Sequence, residues 1–380
     1  MPLSEVVILQ RAVPHYRLPI FKALYEKFGW VVACGATPPD SQYMDLHTNQ
    51  PFINTFDFTF PNQRKPYYAR VPVYDILAQL KPAAIIAEFS MQMDSTYKLI
   101  ARRYLKGGPR VIFWSHGYNV EKKASGFQGK VSQLPRLVVG RFADAHLVYS
   151  EEGKQHLSQY YPAGRIFVAP NTLDIEAIRK YKQSVKGKGI EPAAPALISL
   201  GRFTADKNFP MLIAVFRKVL AAHPNAQLTL IGSGPEEARV RESASDLIGK
   251  SVFLPGPIYE EARLAPYFNQ TNLAVFTGAV GLSVNHALAY GVPVVAFERS
   301  PKGPPHHPEI EYVVDDITGV RVKDYSVEGM ASAINQLFAS VENPNIALRA
   351  SIEDFVARHL QLDRMIEGFR QVAAMMGKSS

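Results

Sequence analysis

The chain of 380 residues contains one cysteine, Cys34. A single cysteine cannot form an intramolecular disulfide, and it cannot supply the cysteine cluster of a structural zinc site. An oxidising compartment is therefore not indicated. Cys34 follows the apolar run 30–33, and we predict that it is a small buried side chain.

Long apolar runs are also missing. No uninterrupted apolar stretch approaches membrane-spanning length, and the amino terminus lacks the charged, apolar and small-residue progression of a secretory signal. Low-complexity tracts and short-period repeats are absent as well. These absences predict a soluble, cytoplasmic protein.

Length and apolar content favour two domains. The chain is too long for one typical core, and its apolar fraction of 47% permits two well-packed cores. Strand-like and helix-like runs alternate throughout, which is the pattern of two α/β domains with parallel sheets.

The net charge of +8 is spread over several basic clusters, within 102–110, 122–141 and 180–188. Anionic lipid headgroups attract such clusters, each nearby cation contributing on the order of 1 kcal/mol. The aromatic and basic segment 64–70 fits the same lipid surface or a saccharide. A basic solvated surface is the alternative. Nucleic acid is not an expected partner, because there is no reader motif and no continuous basic stripe.

One predicted strand-to-helix loop carries two cations. An apolar run ends at Gly201 and a helical period begins at Phe209, so Arg202 and Lys207 lie between a strand and a helix. Ligands bind at the carboxyl edge of parallel strands, where such loops lie. Arginine and lysine there predict a diphosphate pocket. An ordinary surface loop with solvated cations is the alternative.

Segment 278–295 repeats this architecture, with a glycine turn between a strand and a helix. Gly281 lets the backbone approach a ligand closely. The amides of Leu282 and Ser283 open the helix toward an anion. Gly291 is a suitable left-handed cap for the end of the helix.

These two segments resemble the carboxyl-terminal domain of retaining glycosyltransferases of family 4. The matching residues are Gly201-Arg202 with Lys207-Asn208, and Gly281-Leu282 with 287–295, and the resemblance extends from about Val6 to Phe369. It implies the GT-B fold, in which two Rossmann-like domains face each other across a cleft. It also implies a nucleotide-diphosphate sugar as the donor.

The resemblance places Arg202, Lys207 and His116 in the catalytic group, with the two cations on the donor diphosphate. The family's two glutamates, which contact the donor sugar and the ribose, fall here on Gly278 and His286. The chain is therefore an atypical member. His286 could still hydrogen-bond a ribose, and a helix histidine satisfied by its neighbours is the alternative.

Two glutamates are substitute candidates for a polar contact with the donor. Relatives often have a Pro-Glu element before a similar Thr-Gly turn. Counting back from Gly319 selects Glu311, whereas the Pro-Glu order selects Glu309. A buried ion pair or an exposed loop charge is the alternative. The neighbouring pair His306-His307 lacks a cysteine cluster, and the resemblance implies neither a metal nor another cofactor.

In the first domain, candidate side chains follow three predicted strands. His15, Tyr16 and Arg17 come after the first strand, and we expect them to face the acceptor or the donor phosphate, with structural capping as the alternative. His116 falls where the family has a cleft histidine that positions sugar and acceptor. Glu88 ends a strand and is a candidate to receive an acceptor hydroxyl proton or to pair with a basic neighbour.

The domain organisation predicted from these segments is as follows. An acceptor-side domain covers 1–180, a Lys- and Gly-rich linker 181–194, and a nucleotide-sugar-binding domain 195–361. By resemblance, a final helix within 362–380 packs back on the first domain.

The leading hypothesis is a glycosyltransferase that acts on a glycan or lipid-linked saccharide with retained configuration, in cell-surface polysaccharide or glycoconjugate synthesis. Such an enzyme is cytoplasmic or peripheral on the inner face of the membrane. The alternative is a noncatalytic nucleotide-sugar or glycan-binding protein on a degenerate GT-B fold, which the residues at Gly278 and His286 suggest.

Overall fold

The computed structural model describes residues 5–35, 50–59, 70–118, 127–185, 195–340 and 344–377. These residues form two compact units. The first contains the described residues up to Pro170 and those from Leu362 onward, and the second runs from Asn171 to Gln361. Residues 64–69 of the aromatic and basic segment 64–70, and parts of the basic clusters within 122–141 and 180–188, lie outside the described residues.

The strands alternate with helices along the chain. The strands are β1 Val6–Gln10, β2 Val31–Gly35, β3 Ile53–Phe56, β4 Ala84–Glu88, β5 Arg110–Ser115, β6 Ala145–Val148, β7 Ile166–Val168, β8 Ala196–Leu200, β9 Gln227–Ile231, β10 Val252–Gly256, β11 Leu273–Phe276, β12 Val294–Phe297 and β13 Gly319–Val322. The α-helices are α1 Leu18–Phe28, α2 Val73–Leu80, α3 Asp94–Lys106, α4 Phe127–Gly140, α5 Glu151–Ser158, α6 Ile175–Val185, α7 Phe209–Ala222, α8 Glu237–Ser243, α9 Glu261–Asn269, α10 Ser283–Ala289, α11 Val327–Ser340, α12 Pro344–His359 and α13 Leu362–Gly377.

Each unit has its own parallel sheet. The strand order is β3-β2-β1-β4-β5-β6-β7 in the first unit and β10-β9-β8-β11-β12-β13 in the second. All paired strands in both sheets run parallel. The predicted class, two Rossmann-like α/β domains with parallel sheets, is confirmed.

The strand order reverses between β1 and β4 in the first unit, and between β8 and β11 in the second. In open α/β sheets, ligands bind at the carboxyl ends of the strands beside such a switch point. The loops that leave these four strands are therefore where a functional site is sought.

Both faces of the first sheet are covered. Along β1, Val6 and Ile8 belong to one buried core cluster, and Val7 and Leu9 belong to another. Successive strand residues point to opposite faces. A continuous apolar run is thus the sequence of a strand that is packed against helices on both sides.

In the core of the second unit, a helix shows the corresponding pattern, with its buried side chains on one face. Helix α7 buries side chains at three- and four-residue spacing, namely Leu212, Ile213, Val215, Phe216 and Val219. That spacing lines one face of a helix. The buried face joins a cluster with the strand residues Leu197, Leu228 and Val275.

The final helix α13 belongs to the first unit, where it contacts α1, β6 and β7. Its buried residues Ile366 and Phe369 join the core that contains Trp30 and Trp114. Gly368 lies directly against the backbone of β7, where an added Cβ would overlap the carbonyl oxygen of Val168. The chain therefore returns to its first unit to complete that core.

The change of unit falls between Pro170 and Asn171, earlier than the predicted boundary at residue 180. Helix α6 runs through Val185, so residues 181–185 of the predicted linker are helical. The lysines there suggested a solvated linker, but the buried residues Ile175 and Ile178 anchor the helix in the second unit.

Candidate functional site

Two loops of the second unit are hydrogen-bonded to each other at the switch point of its sheet. They follow β8 and β11, and both carry residues predicted from the sequence. The amide of Ala279 donates to the carbonyl of Asp206 at 2.8 Å, and the hydroxyl of Thr277 donates to the carbonyl of Asn208 at 2.9 Å. The Lys207 ammonium donates to the Ala279 carbonyl at 2.6 Å. The loops thus hold one another in place.

Gly278 is the point of closest approach between these loops. A Cβ at this position would overlap the backbone of Asp206 and Lys207. No side chain fits there unless the first loop moves. A glutamate side chain at position 278 is therefore incompatible with this packing of the two loops.

Lys207 is the central cation of this junction. It is half-buried, and its Nζ atom lies 3.7 Å from the carboxylate of Asp206. Burial lowers the pKa of Lys207, while the carboxylates of Asp206 and Glu309 oppose that change. An ammonium has three N–H groups, and the bond to Ala279 uses one of them.

Arg202 lies in the same loop, after Gly201, and its side chain is exposed. Gly201 has a φ of 146°, a backbone conformation that favours glycine. Among the described residues, Arg202 makes no ion pair. The side chain is thus accessible to a ligand.

A third glycine loop, which the sequence analysis missed, supports Gly201-Arg202 from the other side. It follows β9, and an added Cβ at Gly232 would overlap the Gly201 carbonyl oxygen. One residue on, the carbonyl of Ser233 accepts from the amide of Phe203 at 2.8 Å. The signal was present in the sequence, as two glycines directly after an apolar run, Gly232 and Gly234.

The histidine pair His306-His307 is hydrogen-bonded to the loop that follows β11. The Val280 amide donates to Nδ1 of His306 at 3.2 Å, and the His307 amide donates to the Val280 carbonyl at 3.2 Å. Burial lowers the pKa of His306 to about 3, so its Nδ1 is an unprotonated acceptor at neutral pH. Within the described ranges, no group of three or more His, Cys, Asp or Glu side chains could hold a metal ion.

Glu309 is buried in the 3-10 helix Pro308–Tyr312. Its Oε1 atom accepts from the Asn171 amide group at 2.7 Å. Asn171 in turn accepts, through its carbonyl, from the buried Asn285 of α10 at 3.0 Å. Glu309 is the glutamate whose charge acts on Lys207, whereas Glu311 is half-buried in the same turn.

His286 connects two helices. Its Nε2 atom lies 2.6 Å from Oε1 of Glu261 in α9, and the other oxygen of Glu261 accepts from the Tyr290 hydroxyl at 2.9 Å. Tyr290 is stacked on Phe268 with 4.5 Å between the ring centroids. His286 thus has a hydrogen-bond partner within the protein, as in the alternative of a helix histidine that is satisfied by its neighbours.

The predicted anion contacts at Gly281, Leu282 and Ser283 lie at the start of α10, with Leu282 as the residue before its first turn. Side-chain space is open at Gly281, where the nearest atom to an added Cβ would be His307 Cδ2 at 4.0 Å. The first N–H groups of a helix have no acceptor within it.

In the first unit, the structure brings Arg17, Glu88 and His116 to the carboxyl ends of adjacent strands. Arg17 donates to the Tyr149 hydroxyl at 2.7 Å, and the His116 ring lies 5.0 Å from the Tyr149 ring. Tyr149, which the sequence analysis missed, therefore joins two of the predicted residues. His15 and Tyr16, in the same 3-10 helix as Arg17, contact each other edge to face at 5.9 Å.

Gly117, which follows His116, packs against helix α5. Its φ is 82°, and an added Cβ would overlap the backbone of Gly153 in α5. The glycine therefore permits close approach to α5 and not to a ligand. Ser150 caps the same helix, accepting from the Gly153 amide at 3.0 Å.

Across the described parts of the chain, no helix combines the length and the apolar content that are needed to cross a membrane.

The two Rossmann-like units give the chain the GT-B fold, because solved structures with that fold align along nearly the whole chain. Sucrose-phosphate synthase from Thermosynechococcus elongatus superposes with a TM-score of 0.72 at 17% identity, over 99% of this chain and 100% of that one. HepE of Anabaena, solved with UDP and glucose, has a TM-score of 0.66 at 13% identity, over 98% and 99% of the two chains.

The sequence comparison is more specific for the second unit. Residues 181–351 match the model of the family described as glycosyl transferases group 1. An uncharacterized glycosyltransferase of Methanocaldococcus jannaschii is 22% identical over 236 residues, which are 59% of this chain and 57% of that relative. The match thus spans little more than half of the relative's length.

Proposed function

We propose that the protein is a retaining glycosyltransferase of family 4. It moves a sugar from a nucleoside-diphosphate donor to a glycan or lipid-linked saccharide, in the synthesis of a cell-surface polysaccharide or glycoconjugate. One observation carries the proposal. The Lys207 ammonium is fixed where two loops meet at the switch point of the second sheet, through its bond to Ala279.

The chemistry of donor cleavage suits this cation. Negative charge develops on the diphosphate as the bond to the sugar breaks, and preorganised cations stabilise that charge. Lys207 is held in place, and the exposed Arg202 can fork two phosphate oxygens. The open backbone at Gly281, with the amides of Leu282 and Ser283, completes the diphosphate contact. Burial lowers the pKa of Lys207, and the carboxylates of Asp206 and Glu309 oppose that change.

Transfer with retention needs an acceptor hydroxyl on the face that the diphosphate leaves. By analogy with the family, an oxygen of the leaving phosphate takes the proton of that hydroxyl. In the first unit, His116 positions the acceptor, whereas Glu88 is paired with Arg11. No metal and no other cofactor is required in this scheme.

Support for a nucleotide donor comes from the comparisons, since a structure with the same fold was solved with UDP and glucose. UDP is therefore the first nucleotide to test. Binding to the folded state raises stability by mass action, by about 2.7 kcal/mol at a hundredfold excess over Kd. We expect UDP to raise the Tm of the protein, and Arg202→Ala with Lys207→Ala to abolish that rise.

A matched variant, Arg217→Ala with Lys250→Ala, removes one arginine and one lysine elsewhere in the second unit. It should keep the response to UDP. The full panel includes other nucleoside diphosphates and their sugars. If no nucleotide raises the Tm of the wild type, the proposed assignment of the donor site is wrong. If nucleotides bind but no donor is hydrolysed or transferred with any acceptor of a saccharide panel, the noncatalytic alternative is preferred.

Retention is tested separately by NMR of the first product formed from an α-linked donor. An α-configured product is expected. A β-configured product would contradict assignment to a retaining family.

We also propose that the first unit binds an anionic membrane surface, because large apolar side chains and cations share its exterior. Tyr104 and Leu105, at the end of α3, are 61% and 81% exposed. The Tyr104 ring contacts exposed Phe142, just beyond α4, at 5.6 Å between centroids. Exposed Lys106 and Arg141 lie beside these side chains in the sequence. Aromatic and basic side chains together favour the interface of an anionic bilayer.

Sedimentation with vesicles tests the membrane proposal. Binding is expected to vesicles that contain phosphatidylglycerol, with loss at high salt, and not to pure phosphatidylcholine. Leu105→Glu with Phe142→Glu should weaken binding, whereas Ile317→Glu with Phe253→Glu, at exposed positions of the second unit, should not. Equal sedimentation of both variants would contradict this surface.

A further inference from the structure

Among the described residues, the side-chain hydrogen-bond partners of Arg17 in the first unit are neutral. Its Nη1 atom donates to the Gln10 side-chain oxygen at 2.6 Å, and its Nη2 atom donates to the Tyr149 hydroxyl at 2.7 Å. Burial raises the pKa of Tyr149 to about 12. The phenol is thus uncharged at neutral pH, and neither partner supplies a counter-charge to the guanidinium.

The carboxylate near Arg17 is already paired with another arginine. Glu88 accepts from Nε of Arg11 at 2.9 Å and from Nη2 of Arg11 at 2.5 Å. This two-point pairing satisfies both oxygens of Glu88. Among the carboxylates of the described residues, Glu88 is the one whose charge acts on Arg17. Two guanidinium groups against one carboxylate leave one positive charge here.

The guanidinium also retains donor capacity. Its Nε atom is buried and has no hydrogen-bond partner among the described residues. Its carbon lies 4.7 Å from the centroid of the Trp114 ring, so the plane is packed on an aromatic face. A buried donor without an acceptor is unfavourable. An anionic ligand at the guanidinium would match the surplus charge.

The position of Arg17 adds to this reasoning. It follows β1, and its neighbour Glu88 ends β4, so both lie at the switch point of the first sheet. Ligands of open α/β sheets bind there. Anchoring of the turn would need only the neutral bonds to Gln10 and Tyr149, and it gives no reason for an uncompensated charge.

We propose that Arg17 binds an anionic group, a phosphate or a carboxylate, on the acceptor substrate. This inference rests on the proposed function in taking the ligand of the first unit to be an acceptor. It restricts the acceptor to saccharides or lipid-linked saccharides that carry such a group near the hydroxyl that is glycosylated.

Thermal shift with simple anions tests the site. Inorganic phosphate and acetate replace chloride at constant ionic strength, in the full-length protein with Arg202→Ala and Lys207→Ala to remove the donor cations. A rise in Tm with anion concentration is expected, and its midpoint gives an apparent Kd. A tighter Kd for phosphate assigns a phosphoryl group to the acceptor, and a tighter Kd for acetate assigns a carboxylate.

Two further substitutions in this background separate ligand binding from a structural role. Arg17→Gln should abolish the anion response, and Arg165→Gln, at an exposed arginine of the same unit, should not. Glu88→Gln removes the opposing charge and should lower the apparent Kd by roughly three- to tenfold. An arginine that only anchors the turn would give no such gain.

The proposal is overturned if neither anion raises the Tm, or if Arg17→Gln leaves the response intact. Failure here is distinct from failure of the donor site. UDP binding is measured for Arg17→Gln with Arg202 and Lys207 intact, and it should remain at the wild-type level. That measurement also shows that the variant is folded.

Discussion

Position 278 shows how one residue couples packing to function. The two loops at the switch point touch through Gly278, where an added Cβ would overlap the backbone of Asp206 and Lys207. In the same loop contact, the Lys207 ammonium donates a hydrogen bond to the Ala279 carbonyl. The packing of Gly278 and the position of the Lys207 ammonium are thus coupled.

Gly278→Ala should therefore disturb both stability and nucleotide binding. The added methyl forces the loop after β8 to move, and overpacking of this kind costs about 1–3 kcal/mol. We expect a lower free energy of unfolding in urea and a weaker response of the Tm to UDP. Gly164→Ala is the control, because no atom lies within 4 Å of its added Cβ. Equal behaviour of the two variants would contradict the packing account.

A second residue predicts how stability depends on pH. His146 lies buried in β6, with its Nε2 atom 3.0 Å from the Gly140 carbonyl and its ring stacked on Tyr161 at 4.4 Å. Burial, aided by the charge of Arg136, lowers the pKa of His146 to about 4, although the bond to Gly140 opposes this. The unfolded chain binds a proton near pH 6.5.

Between pH 6.5 and about 4, the unfolded state therefore holds a proton that the folded state lacks, and stability falls as the pH falls. From pH 7 to pH 5 the loss due to this group should be about 2 kcal/mol. Urea unfolding of wild type and His146→Gln at both pH values measures it. The variant should lose less than the wild type by that amount, and an identical loss in both would refute the assignment.

At the scale of elements, helix α13 packs against residues that are distant from it in the sequence. It is the last helix of the chain, yet Phe369 contacts Trp30 and Trp114 edge to face, at 6.2 and 5.1 Å between ring centroids. Gly368 allows the helix to approach β7 closely. The core of the first unit is therefore incomplete without α13.

Phe369→Ala should destabilise the first unit by about 3–5 kcal/mol, as expected when a buried phenylalanine is truncated. Tryptophan fluorescence is a suitable probe, because the two tryptophans of the chain both contact Phe369. Gln371→Ala, at an exposed position of the same helix, should change stability by less than about 0.5 kcal/mol. A small effect of Phe369→Ala would mean that α13 contributes little to this core.

At the scale of the whole molecule, the two units have separate cores and separate reporters. Trp30 and Trp114 lie in the first unit, whereas Arg202 and Lys207, the proposed donor contacts, lie in the second. A ligand stabilises the unit that binds it, and a two-domain chain need not unfold in one step. The units should therefore respond differently to UDP.

We expect UDP to raise the unfolding midpoint seen by far-UV circular dichroism more than the midpoint seen by tryptophan fluorescence. Inorganic phosphate, if it binds Arg17, should shift the fluorescence midpoint. Equal shifts in both signals with UDP would show that the units unfold as one.

The sequence by itself determined the fold class, since apolar strands and amphipathic helices alternate with periods that physical chemistry fixes locally. It also placed Arg202 and Lys207 in one strand-to-helix loop, because neighbours in sequence remain neighbours in space. Only the tertiary structure decided contacts between distant segments. Examples are the fit of Gly278 against Asp206, and the pairing of His286 with Glu261. Such contacts depend on how strands order within a sheet, which the composition of one segment does not contain.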